Sequence, residues 1–113
     1  MIFLVYQEAQ MSQDNFAQKI EREFVALIAK RAEDRGFRKG EFAAKMWPWL
    51  NPKIAATRWC SMREKAAHTG KPQNVTLAEA QRMADALGEE LSYLMAVAKE
   101  NAKKTARTAA QEK

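Results

Sequence analysis

The chain is predicted to be all-α, on three observations. Strong helix formers (Ala, Leu, Met, Glu, Lys, Gln and Arg) are abundant, against four Gly and three Pro in 113 residues. Apolar residues recur at three- and four-residue spacing in successive stretches. Gly36, Pro48, Gly70, Pro72 and Gly88 fall between those stretches, where helices should stop.

The elements follow in order. Met1–Tyr6 is apolar and strand-like in composition. It reads either as an upstream extension, with Met11 as the start, or as an arm that packs on the core or pairs with a second copy. Ser12 or Asp14 is placed to cap a long first helix, with Phe16, Ile20, Phe24, Leu27, Ile28 and Arg31 on one face. Lys19, Glu21, Arg22, Lys30, Glu33 and Asp34 occupy the opposite face, as solvated charge. Gly36 ends this helix and Phe37 plugs the core.

A short second helix, Gly40–Met46, turns Phe42, Ala43 and Met46 inward. Pro48 stops it, because proline disfavours helix at the residue before it. Asn51 is then a good N-cap and Pro52 a good first helical residue. Ile54, Ala55, Trp59 and Met62 make one apolar stripe on the third helix, and Lys53, Thr57 and Arg58 fall outside it. A short helix with an anchored back and a cationic, hydrogen-bonding front is suited to the DNA major groove. Lys65–Asn74 is loop by composition. Thr76 and Glu79 form a capping box, with Val75 and Ala80 as a hydrophobic staple. The fourth helix buries Leu77, Ala80, Ala84 and Leu87, and Gly88 ends it. Leu91, Leu94, Met95 and Ala98 open a last helix. Beyond Ala98 its only apolar stripe is of alanines, so it frays or needs a partner.

The length is that of one domain. A net charge of +5 and a pI of about 9.5 suit an anionic partner, although many basic proteins bind no nucleic acid. A lone cysteine, Cys60, forms no internal disulfide, and Met1–Tyr6 is too short to cross a bilayer and lacks the features of a signal peptide. A cytoplasmic protein with no membrane partner is expected. No Gly-rich phosphate loop, Cys–His metal spacing or nucleophile–base set is visible, so neither catalysis, cofactor nor metal is expected.

Arg35–Met46, Ala56–Trp59 and Gly70–Pro72 with Leu77–Gly88, ending in Met83-Ala84-Asp85-Ala86-Leu87-Gly88 and Leu91-Ser92-Tyr93-Leu94-Met95, resemble the Cro and lambda-repressor-like (XRE) family of helix-turn-helix domains. The resemblance spans roughly residues 24–96. It implies a compact five-helix DNA-binding domain over residues 12–98, between an apolar N-terminal arm (1–11) and a basic, Ala-rich helical tail (99–113). It also implies a sequence-specific regulator of phage-repressor, Cro or antitoxin type, acting as a homodimer on double-stranded DNA. The last helix is the preferred dimer surface and the arm an addition. By the same resemblance, Lys53, Thr57 and Arg58 would contact bases. Arg38, Lys39, the Gly40 amide, Lys65, Thr69 and Lys71 would contact phosphates.

Three positions depart from the family pattern. The turn Trp47–Pro52 is longer and holds two Trp and two Pro; Arg38 stands where a Ser or Thr cap is common; Cys60 stands where a glutamate often follows the Trp. Each candidate also has a plainer role. In the plainer reading Arg58 would pair with Glu64 or another surface carboxylate, Lys53 would be solvated charge, and Trp59 would be core. Trp47 and Trp49 pack, form a dimer contact or stack on a base. Cys60 as a redox switch and His68 as a metal ligand lack supporting neighbours. The alternative function is a protein-interaction module on the same fold, using the Trp47–Trp49 turn for a protein partner.

Overall fold

The computed structural model describes the backbone of residues 2–64 and 72–111 and the side chains of residues 16–64 and 72–107. Five helices make up this part of the chain: α1 (Ile2–Asp34), α2 (Lys39–Met46), α3 (Pro52–Arg63), α4 (Leu77–Leu87) and α5 (Leu91–Gln111). The all-α expectation holds for these residues. None of the helices is long and apolar enough to cross a membrane.

α1 differs from the expectation at its start. Helix begins at Ile2 rather than near Ser12 or Asp14, and Ile2–Met11 is helical backbone rather than a strand-like arm. No Gly or Pro occurs between Ile2 and Asp34, so nothing in the covalent chain stops propagation once the helix is nucleated. A helix of 33 residues is about 50 Å long. α1 sets the longest dimension of the molecule, 52 Å.

The two glycine stops behave as expected, and by one device. Gly36 (φ +81°) and Gly88 (φ +68°) are left-handed. Gly36 N–H donates to Glu33 O and Phe37 N–H to Ala32 O; Gly88 N–H donates to Asp85 O and Glu89 N–H to Ala84 O. This paired pattern satisfies helix-end carbonyls and requires a positive φ that glycine adopts without a Cβ clash. Phe37 then packs against the core. The expected break at Pro48 is also present: α2 ends at Met46, and Trp47 leaves the helix with φ −130° and ψ 67°.

The core is built from Phe24, Val25 and Ile28 of α1, Phe42 and Met46 of α2, Trp59 and Met62 of α3, Met83 and Leu87 of α4, and Leu94 of α5, with Trp47 inserted between α2 and α3. Phe42 is the hub, its ring 5.2 Å from Trp59 and 5.9 Å from Phe37, both tilted as aromatic quadrupoles prefer.

α5 runs antiparallel along α1. Thr105 Oγ1 donates to Glu23 Oε1 at 3.2 Å, while towards the other end Arg31 lies over Tyr93 and pairs with Glu89 at 2.8 Å. Ala98 and Ala102 are fully buried. The alanine stripe therefore has its partner within the chain: α1, which small side chains allow to approach closely. α4 opens with the expected capping box, Glu79 N–H donating to Thr76 Oγ1 and Thr76 N–H to Glu79 Oε1.

Two apolar expectations fail. Leu77 is 79 % exposed, because the first residue of α4 precedes the turn on which Ala80 and Met83 reach the core. Ile54 is 55 % exposed and takes no part in the stripe of α3. Two charged ones fail as well. Glu21 and Arg22 are half-buried tethers rather than solvated charge. The Arg22 guanidinium donates to Met62 O at the C-terminal end of α3 and to Gln73 O, and it pairs with Glu21 at 3.0 Å. Glu21 Oε2 accepts from Val75 N–H. Lys30 and Asp34 do remain a solvated pair.

Candidate nucleic-acid interface

α3 is fixed at both ends and along its back. At its start Asn51 Oδ1 accepts from Lys53 N–H at 2.9 Å and Pro52 occupies the first turn. At its end the Arg22 guanidinium meets Met62 O, where a cation also complements the helix dipole. Ala55, Trp59 and Met62 are buried, and alanine at position 55 lets α3 seat closely on the core. A helix held this way presents its remaining face with little freedom to tilt.

That face carries Lys53, Ile54, Thr57 and Cys60, all exposed, with Arg58 and Ser61 half-buried at its edge. The three predicted base-contact residues are brought together: Lys53, Thr57 and Arg58 line one shallow concavity with Ile54, Ser61 and Gln73. Thr57 Oγ1 donates to Lys53 O at 2.9 Å, so its hydroxyl proton is engaged along the helix. Arg58 does not pair with Glu64. Its guanidinium lies over the Trp47 ring, 5.6 Å from the centroid, and Glu64 Oε2 is 3.5 Å from Cys60 Sγ. Trp47 is fully buried and unavailable to stack on a base.

The predicted phosphate-contact residues divide into two groups. Arg38, Lys39 and Gly40 are consecutive and exposed at the N-terminus of α2. The first intrahelical bond there runs from Phe42 N–H to Arg38 O, and no side chain caps the preceding amides. Free amides and the positive end of the dipole suit an anion. The Arg38 side chain is 90 % exposed and stands 3.8 Å from Glu41. Arg38 and Lys39 line a second concavity with the acidic Glu33 and with Arg63, whose guanidinium lies over Trp59. Lys65, Thr69 and Lys71, and His68 with them, lie outside the described residues.

Charge is unevenly placed. From Arg38 to Arg63 the chain has six cationic residues and one acidic residue, Glu41. The rest has thirteen of each, so the entire excess of +5 belongs to α2, α3 and their turn. Among the described residues, Lys39, Lys53 and Arg58 are in no ion pair. No group of three or more acidic, His or Cys side chains that could hold a metal occurs among the described residues.

Sequence reasoning missed Ile54 as part of this face. The signal was present: at 100° per residue it stands roughly 100° from the centre of the Ala55, Trp59 and Met62 stripe. It also missed Arg22 and Gln73, whose roles depend on partners 40 and 51 residues away from Arg22. Trp49, in the α2–α3 turn, is 61 % exposed, with the Arg82 guanidinium of α4 4.8 Å from its ring centroid.

Comparison with protein-family models, with curated proteins and with solved structures finds no match to this chain.

Proposed function

We propose that the chain is a sequence-specific DNA-binding regulator, a lambda-repressor-like helix-turn-helix domain that places α3 in the major groove of an operator. The observation that carries this reading is the confinement of the whole net charge to residues 38–63, which span α2, the turn and α3, together with the mounting of α3, whose back is buried and whose front is open. Phosphate contacts supply affinity and register, and base contacts supply sequence. Arg38, Lys39 and the Gly40 amide would do the first, joined by Lys65, Thr69 and Lys71. Lys53 and Arg58 suit the acceptor edge of guanine and the Thr57 methyl suits thymine. The reading is of a cytoplasmic binder rather than an enzyme, acting by occupying its site.

It includes a homodimer on a two-fold site, with reading helices about 34 Å apart. Tyr93 and Met95 are exposed on α5 but on different sides of it, so a contact along this helix would use one or the other.

The competing reading is a protein-interaction module, favoured by the exposure of Trp49 in the α2–α3 turn. Selection of bound duplexes from a random pool separates the two. A regulator enriches one sequence and prefers it by about a thousandfold or more over random DNA. An interaction module enriches nothing and shows only weak association that salt abolishes.

A further inference from the structure

Ile54 is out of place on α3 by hydrophobic patterning. A buried apolar stripe is available on the same helix, yet this β-branched side chain is 55 % exposed on the cationic side. It lines the same concavity as Lys53, Thr57, Arg58 and Gln73. The polar groups around it are partly committed elsewhere, the Thr57 hydroxyl to Lys53 O and the Arg58 guanidinium to the Trp47 face. What remains is an apolar knob bracketed by positive charge. A partner that fits it must be anionic around the contact and apolar at its centre.

Duplex DNA offers that combination at one group. In the major groove the C5 methyl of thymine is the apolar feature of an otherwise hydrogen-bonding edge, with phosphates on either side. We infer that Ile54 is a specificity-determining residue that reads thymine by covering its methyl group. The inference rests on the DNA-binding reading above and adds a residue and a base to it. Lys53 and Arg58 then flank an apolar contact, and Thr57, with its hydroxyl turned along the helix, offers its own methyl beside it.

The test removes the methyl and nothing else. Thymines of the duplex enriched by selection are replaced one at a time by deoxyuridine, which keeps Watson–Crick pairing. Affinity is measured at fixed salt for the wild type, Ile54→Val and Ile54→Ala. The side chain is exposed, so folding is not at issue, and a circular dichroism melt verifies this for each variant. The expected result is one thymine per half-site at which deoxyuridine weakens wild-type binding about fourfold, the factor associated with one methyl-sized apolar contact. Ile54→Val keeps most of that preference, while Ile54→Ala, left with one methyl beside that of Thr57, loses most of it. The inference is overturned if the wild type ignores the methyl at every thymine, or if Ile54→Ala keeps the wild-type preference. Failure to enrich any duplex is a different result: it removes the DNA-binding reading, and the role of Ile54 with it.

Discussion

Arg22 offers the most demanding test of how α3 is mounted. Arg22→Met keeps the aliphatic stem and deletes the guanidinium, so that lost packing is not confused with lost hydrogen bonds. The guanidinium donates to Met62 O and Gln73 O and pairs with Glu21. Hydrogen bonds from a charged group contribute about 1.5–3 kcal/mol each. The side chain is 32 % exposed, so water replaces part of what is removed. Halving the sum of two such bonds for that access leaves a loss of about 2 kcal/mol. At about 2.1 cal/mol/K per residue, this is a fall in Tm of roughly 8 °C for a chain of this length. Urea unfolding followed by circular dichroism should show a lower midpoint at unchanged slope, since the exposed surface does not change. Arg22→Lys should fall between, because a single ammonium lacks the planar fork that serves two carbonyls at once. A loss under about 0.5 kcal/mol for Arg22→Met, the range of an ordinary surface change, would refute the claim that this residue holds the end of α3.

The remaining predictions concern the reading face and α4. Arg58→Ala is expected to weaken binding to the selected duplex by about 1–3 kcal/mol and to relax one base preference; a repeat selection that returns an unchanged consensus would remove Arg58 from the reading set. Lys39→Ala should weaken every sequence alike and reduce the salt slope by about one unit in a filter-binding or anisotropy titration. Thr76→Ala deletes a reciprocal cap on a helix whose Glu79 is buried, and should cost about 1–2 kcal/mol in chemical denaturation.

Local chemistry determined much of this protein from sequence alone. Asn51 and Pro52, Thr76 and Glu79, and Gly36 and Gly88 each act on backbone groups within about five residues. Their effect was legible without knowing the fold, and the boundaries of α3 and α4 followed. The inward faces of Phe42, Ala43 and Met46, and of Ala55, Trp59 and Met62, were legible for the same reason: helical period alone sets them. Tertiary structure decided what depends on distant partners. Glu21 and Arg22 look like any solvated pair until α3 and the strand of chain before α4 arrive beside them. The alanines of α5 look too small to hold a helix until α1 lies against them. Ile54 and Leu77 look like core until the packing of their helices turns them outward. Burial is a property of how helices meet, and side-chain identity constrains it only where one orientation is the sole way to cover an apolar stripe.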